Sequence, residues 1–418
     1  MIFYLYLLFR ISFLPVILVA VIFNKKIRER FLFELKVNNK TSQKNDKYDY
    51  AFELSSEGEL ELIKPVLEYV LENKKKVQLI FSSESVYSAI TKLEKEYSEN
   101  LTILCLPILS FLPFGKSYVG NWIKAENLYL TRYDFFPELI KFGQKKYVDF
   151  VLLSGSIKKY QNSKKSFFKV KYHNWVYKSF TKILLSLESE TETFCHEFKI
   201  NKNIVRAYDF RPLQILNRIE NSESLLQNRG LWTYCETIRD FKSNSIIFGS
   251  FWIDEIENLS LKKLQNSKLC FVPHQLDADK LYEMKKKLEH ELDDEVTIIN
   301  EKNISMLSEQ RIVILALKGV LCELYQFFDL AYIAGGFRSS VHSLLEPFLS
   351  GTSIVCGPNI HKSTEYDLIA QEHSDRIRIL AIKDSLFVDG SINSNLENLK
   401  NKYNDDYTNY IKWLDLIC

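Results

Sequence analysis

Apolar positions follow one another in two ways along this chain. Met1–Phe23 is a continuous apolar run whose one charge is Arg10. It has about the 20 residues needed to cross a bilayer core. Lys25, Lys26, Arg28 and Arg30 follow it. The basic residues come after the apolar run and no small-residue cleavage motif precedes them, the reverse of a signal peptide. The run is therefore read as a membrane anchor, which spans the bilayer or lies flat on it, the alternative being a short buried helix. The basic cluster places the following chain in the cytoplasm. Residues 24–49 are basic and polar and read as a linker.

From Tyr50 the pattern changes to short apolar runs alternating with helical stripes. Tyr50–Leu54, Val77–Phe81, Leu101–Leu106, Leu128–Thr131 and Phe150–Leu153 read as buried strands, and Leu60–Leu71 carries the 3.6-residue spacing of a helix. The pattern from Pro212 to Ser245 is ambiguous. A second alternation then begins, with strands at Ser245–Phe248, Leu269–Val272, Val296–Ile299, Ile312–Leu315, Leu330–Ala334 and Ser353–Val355. Helices are expected at about 277–290, 319–327 and 342–350. Strands alternating with helices build parallel sheets. The chain is thus expected to be α/β, with two Rossmann-like domains facing a cleft, 50–211 and 245–418, joined by 212–244.

Composition narrows the function. A chain of 418 residues exceeds one ordinary core. Its 55 basic and 53 acidic residues leave a formal charge of +2, which argues against a dedicated nucleic-acid binder. The seven cysteines are scattered without a CxxC pair and read as reduced thiols, neither a disulfide frame nor a zinc site.

Chemistry concentrates where strands are expected to end. Ala331–Pro358 reads as strand, Gly335-Gly336 break, helix carrying His342 and Glu346, and a second strand stopping at Gly357-Pro358. Ligands of open parallel sheets sit outside such strand ends, and helix N-termini there attract phosphate. A nucleotide site is implied, with Glu346 able to accept from ribose hydroxyls. Gly249-Ser250, with Glu255 beyond, is a plausible phosphate cradle, and Pro273-His274 ends the next strand. In the first domain, Ser55-Ser56-Glu57-Gly58-Glu59 turns from strand into helix. Gly58 suits a tight turn, and Glu59 is a candidate general base or a helix-start carboxylate interacting with the dipole. Arg132 and Asp134 follow another strand; Asp134 is a candidate ligand group or a helix cap. Leu106–Phe114 is an apolar loop with two prolines, suited to a membrane surface, an acyl chain or internal packing.

Taken in order, these segments resemble the Kdo (3-deoxy-D-manno-octulosonic acid) transferases of Gram-negative lipid A assembly, over nearly the whole chain. Arg28-Glu29-Arg30-Phe31 follows the anchor, and Ser56-Glu57-Gly58-Glu59 is similar to the Ser-x-Gly-Glu motif whose Glu is the proposed base. Arg132–Pro137 loosely resembles Glu-x-Glu-hydrophobic-Trp-Pro, and Asp209-Phe210-Arg211 resembles an Asp-x-Arg segment. Gly249, Ser250 and Glu255 match a Gly-Ser…Glu pattern. Gly335-Gly336 and Ser340–Pro347 resemble Gly-Gly…Gly-Gly-His-Asn-x-Leu-Glu-Pro, followed by Gly357-Pro358. Four departures stand out. Arg132 stands where the Trp-Pro motif has its first acidic residue. Pro273-His274-Gln275 replaces Pro-Arg-His, Ser340-Val341 replaces the second glycine pair, and Ser343 replaces the Asn after His342.

The resemblance implies a GT-B fold and an inverting glycosyltransferase that moves Kdo from CMP-Kdo to a lipid A precursor at the inner membrane, without metal or cofactor. Glu59 is then the base, with Ser56, Gly58, Asp134 and Arg211 on the acceptor side. Gly249, Ser250, Pro273, His274, Gly335, Gly336, His342, Ser343 and Glu346 fall on the donor side. The departures leave open a different nucleotide sugar or a non-catalytic membrane-bound paralogue.

Overall fold

The computed structural model describes residues 2–40, 47–110, 123–132, 135–145, 148–157, 160, 166–361, 363–386 and 396–414. The chain divides into two compact units, Met1–Phe210 with Asp406–Cys418, and Arg211–Asp405. Each is built on a seven-stranded, all-parallel sheet with helices. The sheet of the first unit comprises β1 (Tyr48–Leu54), β2 (Val77–Phe81), β3 (Leu101–Cys105), β4 (Ala125–Thr131), β5 (Asp149–Gly155), β6 (Lys182–Leu185) and β7 (Val205–Ala207). Their order is β3-β2-β1-β4-β5-β6-β7. The second unit has β8 (Ser245–Phe251), β9 (Lys268–Pro273), β10 (Thr297–Ile299), β11 (Ile312–Leu315), β12 (Leu330–Ile333), β13 (Ser353–Cys356) and β14 (Ile377–Ile379). Their order is β10-β11-β9-β8-β12-β13-β14.

Strands covered by helices on both faces bury every side chain, which is why they read as unbroken apolar runs. All residues of β2, β11 and β12 are buried. β6, β7 and β14, at three or four residues each, were not expected. The strand order reverses beside β1 in the first sheet and beside β8 in the second, so the segments leaving β1, β4, β8 and β12 flank the crevices where open sheets bind ligands.

Three expectations need correction. Most of the expected linker is helix: α1 (Ile2–Phe23) is followed by α2 (Lys25–Lys40). Glu34 of α2 is fully buried and accepts from the N–H groups of Ile108, Leu109 and Ser110, the Ser110 hydroxyl and Arg30. Asn38 exchanges two hydrogen bonds with the backbone of Cys105. Arg30, Glu34 and Asn38 are spaced by four and lie on one face. Phe33, edge-on to Phe81 and Tyr87, and the buried Val37 add apolar contact, but polar groups carry much of the docking, so the segment reads as a linker. The described part of the apolar loop, Leu106–Ser110, is thereby tied to α2; residues 111–114 lie outside the described residues.

The C-terminus is the second correction. Residues 406–418 belong to the first unit, not to a domain running from 245 to 418. There the Tyr407 hydroxyl donates to the Pro65 carbonyl (3.1 Å) and Tyr410 stacks on Tyr208 at 4.6 Å. Its sequence looks polar because tyrosines carry much of the contact. Third, the helix expected over 342–350 is only Leu345–Leu349. Upstream, the backbone is held by other segments: His342 N–H donates to the Ala334 carbonyl (3.0 Å), Val341 N–H to the Asn359 carbonyl (3.2 Å) and Leu344 N–H to the Glu365 carboxylate (2.6 Å).

Candidate functional site

In the first unit the carboxyl end of β1 passes directly into α3 (Glu57–Glu72). Ser56 is the N-cap, in extended backbone, and its hydroxyl accepts from Glu59 N–H at 3.3 Å. The Glu59 carboxylate reaches back over the helix start and accepts from Ser55 N–H (2.6 Å) and the Ser55 hydroxyl (2.7 Å). This is the Ser-x-x-Glu capping logic with the carboxylate one residue further upstream. Glu59 is only 8% exposed. A buried carboxylate with a fixed rotamer at the positive end of a helix is a pre-aimed acceptor for a proton or hydroxyl. Gly58 is not needed for the turn: a Cβ there would meet only Ser56 Oγ at 4.0 Å. The missing side chain instead leaves open space at the start of α3. Asp134 lies outside the described residues. Glu53, fully buried on β1, was not singled out from sequence, since it sits inside an apolar run.

The second unit gathers more residues. β8 does not stop at a Gly-Ser cradle; it continues through a register shift to Phe251, with Ser250 at φ 51°. Gly249 is required by packing, since a Cβ would lie 2.1 Å from the Tyr325 hydroxyl. Beyond β8, Trp252 stacks on His274, which follows Pro273 at the end of β9, with centroids 4.1 Å apart. His274 in turn stacks on His342 at 4.8 Å, and Trp252 Nε1 donates to His342 Nε2 (2.9 Å). An indole N–H only donates, so His342 is neutral with its proton on Nδ1. Burial first, then His274 and the Arg338 charge, push its pKa down to about 4. His274 is shifted down by burial and Arg338. Arg338 covers the other part of the cluster, its guanidinium 4.0 Å from the Trp252 ring centre and its Nε 3.1 Å from Asp254. Trp252 and Arg338 were not singled out from sequence, although each lies two residues beyond the Gly249-Ser250 or Gly335-Gly336 pair.

The carboxylates of this unit are heavily engaged. Glu255 is fully buried and accepts from the Tyr332 hydroxyl (2.7 Å), Gly335 N–H (2.8 Å) and Phe337 N–H (3.3 Å). Burial raises its pKa against the pull of those three bonds. The Gly335 amide therefore holds an internal carboxylate. Gly335 is at φ +94°, and a Cβ on Gly336 would lie 2.6 Å from Gly357 N, so this pair lets two backbone segments touch. Glu346 lies 3.9 Å from Arg218, which forks onto Glu323 at 2.9 and 3.1 Å. Arg211, expected in the first domain, belongs to the second unit and pairs with Glu365. Glu365 also accepts from Ser343 Oγ and from the N–H groups of Leu344 (2.6 Å) and Leu345 (3.2 Å). Arg218, Glu323 and Glu365 carried no motif signal. Gly249, Ser250, Pro273, His274, Gly335, Gly336 and His342 thus come together at one carboxyl edge, whereas Ser343 and Glu346 join the ion pairs of Arg211 and Arg218. Among the described residues no cluster of three or more His, Cys, Asp or Glu could hold a metal ion.

Two Rossmann-like units in one chain, each with its polar cluster at the carboxyl edge, give the α/β architecture of a GT-B glycosyltransferase. Residues 25–207 match the family model of the 3-deoxy-D-manno-octulosonic-acid transferases (kdotransferases). Over that stretch, which is less than half of the chain, the sequence is similar to the Kdo transferase family, and the protein is a glycosyltransferase. Among solved structures, the UDP-GlcNAc 2-epimerase of Methanocaldococcus jannaschii is similar in fold, with 10% identity, TM-score 0.50, and 80% of this chain and 89% of that chain covered. A glycosyltransferase from Rickettsia africae ESF-5 has 13% identity and TM-score 0.44, covering 89% of this chain and 90% of that one. The C-terminal CMP-Kdo binding domain of WaaA from Acinetobacter baumannii has 16% identity and TM-score 0.30, covering 39% of this chain and 82% of that one. No match is found among curated proteins.

Proposed function

We propose that this glycosyltransferase moves Kdo from CMP-Kdo to a lipid A precursor at the cytoplasmic face of the inner membrane, with inversion. The observation that carries this is Glu59, aimed by Ser55 and Ser56 at the carboxyl edge of β1 inside the family-matched stretch. The acceptor hydroxyl attacks the anomeric carbon of Kdo. The bond from that carbon to the CMP phosphate oxygen breaks, CMP leaves with the electron pair, and Glu59 takes the hydroxyl proton. A general base of this kind contributes about 10²- to 10⁴-fold. The space beside Gly58 admits the acceptor.

Donor binding falls to the second unit. The stacked faces of Trp252, His274 and His342 suit a cytosine ring. Arg338 offers a fork for the phosphate where the family's arginine is replaced by His274. Glu346 is kept for the ribose, to be released from Arg218. The apolar α1 tethers the enzyme where an acylated acceptor must stay, raising its effective concentration.

A different nucleotide sugar is the second reading, favoured by the Gly335 amide and Glu346 already being engaged inside the unit. Thermal shift with CMP, UDP and GDP separates the two. Stabilisation by CMP alone, lost in Arg338→Ala, is expected for a cytidylyl donor. Preference for UDP or GDP would replace CMP-Kdo, and no response to any of them would mark a non-catalytic paralogue.

A further inference from the structure

Exposure along α1 repeats with the helical period. Phe3, Tyr6, Arg10, Leu14, Ile17 and Val21 are partly covered, while Tyr4, Leu8, Phe9, Val16, Val19 and Phe23 point outward and are exposed. The covered face is pinned near its middle. Arg10 donates to the Ile108 carbonyl and to the Tyr6 hydroxyl (3.0 Å), Tyr6 donates to Glu138 (2.6 Å), and Arg10 lies 3.9 Å from the same carboxylate. Ile108 leaves β3, and Glu138 begins the helix Pro137–Gly143 that follows β4. In the sheet β1, which delivers Glu59, lies between β3 and β4. Arg10 and Glu34, on opposite sides of Asn24, both bind Ile108, so α1 and α2 turn back on each other at Asn24 instead of running on as one rod.

These contacts are incompatible with a straight crossing. On a spanning course Arg10 would lie ~12 Å from one end of α1 and ~20 Å from the other, close to the bilayer midplane. It would carry Glu138 and the irregular Ile108–Ser110 backbone to that depth, where lipid-exposed loops do not occur. A second feature lies on the same side of the unit. Phe167 and Phe168 open the helix Phe167–Tyr177, both highly exposed and flanked by Lys169 and Lys171. One turn on from Phe168, Tyr172 bonds the Phe135 carbonyl, on the segment that leads to Glu138. Lys25, Lys26 and Arg28 beyond α1 are exposed as well.

We infer that α1 lies in the plane of one bilayer leaflet, with its outer face among acyl chains, its Tyr6–Arg10 face on the first unit, and both ends on the side of that unit. Lysine and arginine around an apolar face select anionic headgroups. The inference rests on the membrane association proposed above, and it sets the carboxyl edge that carries Glu59 at the leaflet surface.

The test uses the full chain in vesicles containing anionic lipid, added in detergent to preformed vesicles before the detergent is removed. Tyr4→Cys and Phe23→Cys are labelled with a membrane-impermeant maleimide, against the wild-type cysteine background. Nitroxide labels at Leu8, Phe9, Val16 and Val19 report depth. In-plane binding gives equal labelling of both end positions before and after vesicle lysis, and one shallow depth for the four outward positions. Labelling of Tyr4→Cys only after lysis, with depth greatest at mid-helix, would overturn the inference and leave the proposed reaction intact. Failure of the chain to float with vesicles would overturn it too. Kdo transfer to a deacylated, soluble acceptor then decides separately whether the reaction survives.

Discussion

The two carboxyl edges use their acidic residues in opposite ways. In the first unit Glu59 caps a helix from the outside, held through Ser55, with open space left by Gly58. In the second unit Glu255, Glu323 and Glu365 are structural: one ties down the loop after β12, one receives Arg218, one joins Arg211 to the Leu344–Leu345 amides. On the reading proposed above, a carboxylate at a strand end is a reactive group in the first unit and a fastening between separate segments in the second. What distinguishes them is where the remaining space lies.

Substitutions can break this contrast. Glu59→Gln keeps an acceptor for Ser55 and should leave the melting transition in place while lowering kcat by about 10²- to 10⁴-fold. Unchanged turnover would remove Glu59 from the chemistry. Glu255→Ala strands the Tyr332 hydroxyl and two loop amides, and denaturant melts should show a loss of about 3–5 kcal/mol. Gly336→Ala drives a methyl into the Gly357 backbone and should cost about 1–3 kcal/mol, again by denaturant titration.

The smallest effect is pH-dependent. His342 titrates near 4 in the folded chain, below its ordinary value of about 6.5, so between those values the unfolded chain binds more protons. Stability should therefore fall as pH drops from about 6.5 towards 4 and level off below. The change is on the order of 1 kcal/mol, discounted because the ring is partly exposed. His342→Gln should flatten that part of the stability–pH curve.

Most of the fold was legible because parallel strands covered on both faces are written as apolar runs, and Val77–Phe81 and Ile312–Leu315 were found residue for residue. Elements fastened by polar contacts were not. α2 looked like a linker because Arg30, Glu34 and Asn38 carry much of its docking face. The glycine pairs marked the right edge, since only glycine allows the Gly336–Gly357 approach. Spacing alone did not tell that Arg338 covers Trp252 there, or that Arg218 and Glu365 engage Glu346 and Ser343.

The most direct measurement is transfer itself, with purified full chain, CMP-Kdo and a lipid A precursor in vesicles, followed by the mass of the lipid and the release of CMP. The expected result is a gain of Kdo on the acceptor by wild type, matched by free CMP, and little or none with Glu59→Gln. CMP-Kdo left unconsumed by a folded wild-type chain, or consumed equally by Glu59→Gln, would contradict it.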